Sequence, residues 1–289
     1  MPMSKLRTFK DEDLQEAFSR NGYVVIDLAE PAEMTQLAED YRTLYPDNQD
    51  GCVFSCHDSD FDRQSQAQSL VRQVIEKKAS VFLDAYRFVS TSFVVKFPGE
   101  RGVIPPHTDY TFVDDKHYAA VAIWTPLTET TAAAGRLHVM PGSHLYTPLC
   151  GSNLFRKYDG IEISSMTEIE LELGQAVCYD LRTIHGSPAN TSLAPRVAVN
   201  CVMIPNQADL WHVTRENQEI LIYAVDNDFY SRLHFDGTIT SNLLKNYRVI
   251  HSEPYESEPS EDEAHKQNVQ PLGIVQRLMK RLGIGGQRK

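Results

Sequence analysis

The chain reads as an α+β domain whose core is a β-sandwich or a small barrel. Two observations predict this. Helical periodicity is confined to the N-terminal part of the chain, and many short β-rich runs follow, set off by glycine, proline and polar turns. Helices first and strands after is the order of an α+β protein rather than of alternating βαβ units.

The elements follow in order. Residues 11–20 and 31–44 carry apolar side chains at helical spacing, with the strand-like "GYVVIDL" between them. Residues 69–84 form a third helix on the same criterion. The pattern then changes to "STSFVVKF", "AAVAIWTPL", "RLHVMP", "QAVCYD" and "RVAVNCVMIP", each short and rich in β-formers. Residues 145–168 break this rhythm, and an insertion of that length reads as a lid or binding loop.

Composition shifts near residue 252. The acidic segment "SEPYESEPSEDEAHKQN" is too poor in apolar groups to offset the cost of ordering it. Residues 1–251 therefore form the domain, 252–269 a disordered linker, and 270–289 a tail. In the tail, Leu272, Val275, Leu278, Met279 and Leu282 alternate with Arg277, Lys280 and Arg281 at helical spacing. The plainer reading is a short helix packed on its own domain; weak contact with a membrane surface or a partner groove is the other.

The 289 residues are 42% hydrophobic and 23% charged, as in ordinary globular proteins. No apolar run approaches the roughly 20 residues that span a bilayer. The N-terminus, "MPMSKLRTFKDEDLQEAF", has no signal-peptide core. Five scattered cysteines read as reduced thiols in a cytoplasm. A net charge of −11 argues against nucleic acid as a partner.

The chemistry rests on "PPHTDY". His107 and Asp109 lie two apart on an extended segment, so both side chains point the same way. His185 follows the run "QAVCYD", and strand ends of a closed or sandwiched sheet converge at one mouth. Two imidazoles and one carboxylate form a facial triad suited to Fe(II), with three positions open. Arg196 stands eleven residues beyond His185, where a guanidinium can grip a carboxylate bidentately. A dicarboxylate that chelates iron at one end and meets Arg196 at the other has the shape of 2-oxoglutarate.

Over residues 11–205 the chain resembles the phytanoyl-CoA dioxygenase family of Fe(II)/2-oxoglutarate oxygenases. The resemblance rests on "HTD", on "GRLHVMPGSH" at 135–144, and on "GQAVCYDLRTIHGSPANTSLAPR" at 174–196. It implies a double-stranded β-helix, the jelly-roll, cupin-like form of the β core, with flanking N-terminal helices. It implies iron on His107, Asp109 and His185, and 2-oxoglutarate held by Arg196 and Ser187 beside Trp124. Lys96 matches a family lysine more loosely. Where the family often has two adjacent arginines, this chain has Arg196 and Val197. Related halogenases have Gly or Ala where Asp109 stands, so the carboxylate implies hydroxylation or desaturation.

The expected activity is hydroxylation of an unactivated C–H of a small metabolite by O2, with 2-oxoglutarate decarboxylated to succinate. One alternative is an acyl-CoA or carrier-tethered substrate, for which Arg101, Lys116, Arg136, Arg156 and Lys157 are the candidate cations. Another is a non-catalytic or non-oxidative metal-binding jelly roll, which has no use for Arg196. Other polar clusters have plainer readings. Cys52, Cys56 and His57 lack a second pair at zinc spacing. Asp58, Asp60 and Asp62 start like a calcium loop but lack its glycine and glutamate, which leaves a solvated turn. His144 reads as structural and His138 as a face histidine. His117 and His234 stay undecided, as does His212, a candidate for substrate contact.

Overall fold

The computed structural model describes residues 6–47, 49–146, 156–232 and 242–254. Three helices open the fold. The first, α1 (Glu12–Asn21), starts where the Asp11 carboxylate accepts the Leu14 N–H at 2.9 Å. The second, α2 (Pro31–Leu44), has proline in its first turn and a capping box between Glu30 and Glu33. The third, α3 (Phe61–Phe82), begins eight residues before the predicted start at 69. Asp60 caps it by accepting from the N–H groups of Asp62 and Arg63, and Asp58 pairs with the Arg63 side chain. The aspartate triplet is thus a helix start rather than a free turn.

A six-stranded sheet takes β1 (Tyr23–Asp27), β9 (Gln175–Asp180), β5 (Val121–Pro126), β11 (Arg196–Pro205), β3 (Tyr86–Lys96) and β2 (Cys52–Phe54), in that spatial order. A second sheet orders β7 (Arg156–Lys157), β4 (Ile104–Thr108), β10 (His185–Ser187), β6 (His138–Val139) and β8 (Thr167–Glu168). The named strand pairings of both are antiparallel. This is the jelly-roll core that the resemblance implies.

Both faces of the large sheet are covered, so its strands read as continuous apolar runs instead of the usual alternation. Helices α1 to α3 pack Phe18, Met34, Leu37, Val71 and Ile75 on one face, against Phe93, Val95, Ile123, Val197 and Val199. Each such large side chain contributes roughly 1.5–3 kcal/mol by leaving water. The other face meets the second sheet through Ala122, Trp124, Val177, Ala198, Val202, Leu137 and Val139.

Three features depart from the sequence pattern. Strands β12 (Leu210–Glu216), β13 (Glu219–Val225) and β14 (Arg248–Pro254) build a third sheet, with α4 (Asn227–Arg232) between the last two. Strand β14 runs three residues past the boundary drawn at 251; residues 255–289, the rest of the linker and the tail, lie outside the described residues. The described half of the 145–168 insertion is structural: β7 and β8 extend the second sheet, while Tyr158, Ile161 and Met166 bury against Met140 and Ile184. No helix among the described residues is long and apolar enough to cross a membrane.

Candidate metal centre

His107 lies near the end of β4, and Asp109 follows that strand directly. His185 opens β10, opposite His107 in the antiparallel pairing. Strand pairing alone therefore brings together two histidines far apart in sequence. Their ring centroids are 4.1 Å apart. The Asp109 Oδ1 lies 3.6 Å from His107 Nε2 and 3.7 Å from His185 Nε2. The three ligand atoms fall within 4.8 Å of one another, the spacing a single ion needs.

Each histidine is held by its other nitrogen. His107 Nδ1–H donates to Pro105 O at 2.8 Å, and His185 Nδ1–H to Thr183 O at 3.0 Å. These bonds fix the tautomer and leave both Nε2 lone pairs facing the carboxylate. Burial, reinforced by neighbouring His107, lowers the His185 imidazole to about 4, so the ring is neutral, as a metal ligand must be. Burial opposes ionisation of Asp109, a hydrogen bond from Tyr179 favours it, and the carboxyl lies below its usual range. Two imidazoles and a carboxylate suit Fe(II). Gly186 follows His185 because a Cβ there would meet Ile104 O at 2.8 Å, on the neighbouring strand.

Arg196 starts β11 on the inner face, opposite Lys96. Its Nη1 donates to Gly135 O at 2.6 Å, and its guanidinium carbon lies 5.2 Å from the centre of the Trp124 ring. Gly135 has φ +73°, and a Cβ there would meet Pro188 O at 2.5 Å, so only glycine brings this carbonyl to the arginine. The Nε of Arg196 is buried with no hydrogen-bond partner, and among the described residues no carboxylate pairs with the side chain. Burial lowers Arg196 to about 10, which still leaves it charged at neutral pH.

A cavity of about 940 Å³ joins these parts. His107, Asp109, His185, Ser187, Trp124 and Arg196 all line it. Lys96 does not. Its ammonium donates to Ser187 Oγ and Pro188 O at 2.5 Å each, behind the serine that lines the cavity. Burial, then the Arg196 charge, lowers Lys96 to about 7.

Residues 18–198 match the family described as phytanoyl-CoA dioxygenase (PhyH). The chain belongs to this family. It is 25% identical to phytanoyl-CoA dioxygenase 1 of Oryza sativa subsp. japonica over 130 residues, 43% of this chain and 46% of that one. It is 26% identical to phytanoyl-CoA dioxygenase of Arabidopsis thaliana over 165 residues, 53% of this chain and 54% of that one. The chain thus matches about half the length of these curated relatives. Among solved structures it is similar to the epimerase SnoN in complex with Fe3+, alpha ketoglutarate and nogalamycin RO. The TM-score is 0.50 at 18% identity, over 69% of this chain and 85% of that one, a likeness of fold.

Other candidates fall outside the metal cluster. His144 is buried and bonds Ser19 O at 3.1 Å through Nε2, and His138 bonds Arg136 O through Nδ1. His117 pairs with Asp114 on the surface, and His234 lies outside the described residues. His212 does line the cavity, as do Cys56 and His57. The residues that the sequence pattern missed are Tyr179, Asn200, Gln64 and Gln68, and Thr214 and Tyr223 of the third sheet. Two of them carried a signal: Tyr179 and Asn200 share the inward parity of Val177 and of Arg196.

Proposed function

We propose that the protein is an Fe(II)/2-oxoglutarate-dependent dioxygenase that hydroxylates an unactivated C–H bond of a small metabolite. His107, Asp109 and His185 would hold the iron. Arg196 and Ser187, beside Trp124, would hold the far carboxylate of 2-oxoglutarate. The observation that carries this reading is the buried Arg196, unpaired at Nε, on the same cavity as the triad. An uncompensated buried charge costs several kcal/mol, and an anionic cosubstrate removes that cost. A non-catalytic or non-oxidative jelly roll has no such need.

Bound together, iron and 2-oxoglutarate supply the oxidising power by which O2 gives one oxygen atom to the substrate and one to succinate, with loss of CO2. The chain does the rest. The histidines, each held through Nδ1, would present their Nε2 atoms, and Asp109 would present a carboxylate at the position that a halide would need. Phe112, Trp124 and Leu137 line the cavity with apolar surface that excludes water.

The remainder of the cavity favours a small, neutral, polar substrate. Gln64, Gln68, Asn200, His212 and Thr214 line it, and Asn200 Oδ1 is buried without a partner, an acceptor for a substrate N–H or O–H. Exposed Arg215, Glu216 and Lys245 mark its mouth. The cations considered for a CoA substrate are not there: Arg101, Lys116, Arg136 and Lys157 do not line it. Arg101 pairs with Asp50, and Arg136 with Glu168 and Glu170. The side chain of Arg156 lies outside the described residues. The unbridged Cys52, Cys56, Cys178 and Cys201 fit a reducing compartment such as the cytoplasm. The linker and the tail, with its weak contact to a membrane or partner, stay part of this proposal.

The test is a small-metabolite library incubated with the protein, Fe(II) and 2-oxoglutarate in air, reading succinate release and product mass. A gain of one oxygen supports hydroxylation. A product of unchanged mass, as in epimerisation, or of two hydrogens less would retain the cosubstrate chemistry and replace the hydroxylase assignment. Absence of succinate above background with every compound counts against the enzyme.

A further inference from the structure

The iron-binding carboxylate has two oxygens, and the structure treats them differently. Asp109 Oδ1 faces both histidine Nε2 atoms. Asp109 Oδ2 accepts a hydrogen bond from the hydroxyl of Tyr179, at 3.1 Å. Tyr179 is buried on the inner face of β9, and its ring centroid lies 4.6 Å from that of His185. The hydroxyl is also 3.3 Å from His185 Nε2. A ring nitrogen that gives its lone pair to a metal has none for the phenol, so Asp109 Oδ2 is the acceptor left in the loaded site. The Asn200 side chain also hydrogen-bonds the phenol.

We propose that Tyr179 is a positioning residue that keeps Asp109 a one-oxygen ligand. The inference rests on the oxygenase reading above and deepens it. An octahedral ion held by this triad has three open positions. Chelation by 2-oxoglutarate takes two, and O2 needs the third. A carboxylate that swung to bind through both oxygens would close that third position. The Tyr179 proton on Oδ2 opposes this swing by a charge-assisted hydrogen bond in a dry site. The same bond orients Oδ1 and so strengthens binding of the ion itself.

The test uses the full chain without oxygen. Fe(II) affinity is measured by competition with a chelating dye, the 2-oxoglutarate complex by its visible band, and the open position by the electron paramagnetic resonance signal on adding nitric oxide, a stand-in for O2. Tyr179→Phe keeps the ring and its packing and removes only the hydroxyl. It should weaken Fe(II) about ten- to a hundredfold. At saturating Fe(II) and 2-oxoglutarate it should keep the visible band and lose most of the nitric oxide signal. Val177→Ala, on the same strand and face, is the packing control: its metal-free unfolding temperature should fall while both iron readouts hold. Parent-like Fe(II) affinity and nitric oxide signal in Tyr179→Phe would overturn the assignment. So would losses that merely track a lower metal-free unfolding temperature, as in a structural role. A parent protein with no visible band would overturn the oxygenase reading as well, which separates the two failures.

Discussion

Along β11 the outward residues Val197, Val199, Cys201 and Met203 are buried against the helical layer. The inward residues of the same strand run Arg196, Ala198, Asn200 and Val202. The contrast repeats on β9, where Ala176 and Cys178 face out and Val177 and Tyr179 face in. One sheet thus carries a stabilising face and a working face, a single pleat apart. The outer face gains its free energy from apolar area. The inner face holds a buried guanidinium and a phenol and looks across the cavity to the carboxylate and two imidazoles carried by the second sheet; none of these favours folding unless fully partnered. The working face is bearable because the outer one is so well packed.

Four substitutions break or sharpen this contrast, from the largest effect to the smallest. Asp109→Ala removes the carboxylate of the candidate metal centre, so Fe(II) affinity should fall by more than the roughly ten- to hundredfold typical of a supporting residue. Anaerobic titration reads it, and the unfolding temperature of the metal-free protein should change little. Ile75→Ala, on the outer face, should do the reverse. It should cost about 2–5 kcal/mol in denaturant unfolding and leave the Fe(II) affinity of the folded protein untouched.

The third concerns His212, buried beside Phe229 with ring centroids 4.6 Å apart. Burial lowers its imidazole to about 4, so the folded state resists a proton that the unfolded chain accepts near 6.5. The unfolded state therefore binds more protons in this window, and stability falls as pH drops from about 6.5 toward 4. Above 6.5 the contribution is complete. His212→Gln should flatten that part of the stability-versus-pH curve relative to the parent; an unchanged slope would remove His212 as a cause. The fourth is Asp114→Ala, half-buried five residues beyond Asp109, where it accepts from Lys116 N–H and pairs with His117 away from the metal cluster. Fe(II) affinity should stay within about 0.5 kcal/mol of the parent, read by anaerobic titration. Neighbouring Asp115 differs: it is buried and accepts from Thr111 Oγ1 at 3.0 Å, so it belongs to the fold.

The same contrast explains what the sequence made legible. The outer face is apolar at regular spacing, so α1, α2 and the long strands stand out. The start of α3 is hidden because Gln64 and Gln68 line the cavity instead of the core, and "FDRQSQAQ" shows no apolar stripe. Strands β12 to β14 mix charged and apolar residues above the mouth, where one side meets solvent. His107, Asp109, His185 and Arg196 are readable because their spacing and chemistry are distinctive. Tyr179 is not, because a tyrosine within an apolar strand looks like packing until its hydroxyl is seen on Asp109. Lys96 shows the converse, since a matched position said nothing of its ammonium bonding Ser187 Oγ and Pro188 O.

The central claim is that the working face is shaped for 2-oxoglutarate on iron, with Arg196 as its anchor. It is tested most directly by anaerobic titration of the Fe(II)-loaded parent and of Arg196→Met with 2-oxoglutarate, following the visible band of the chelate. The parent should develop the band. Arg196→Met should need about ten- to a hundredfold more 2-oxoglutarate, the loss of a charge-assisted bidentate contact worth roughly 1.5–3 kcal/mol, while its Fe(II) affinity holds. Its ligand-free stability should hold or rise, since an unpaired buried cation gives way to apolar volume. No band in the parent, or equal 2-oxoglutarate affinity in the two proteins, would contradict the account.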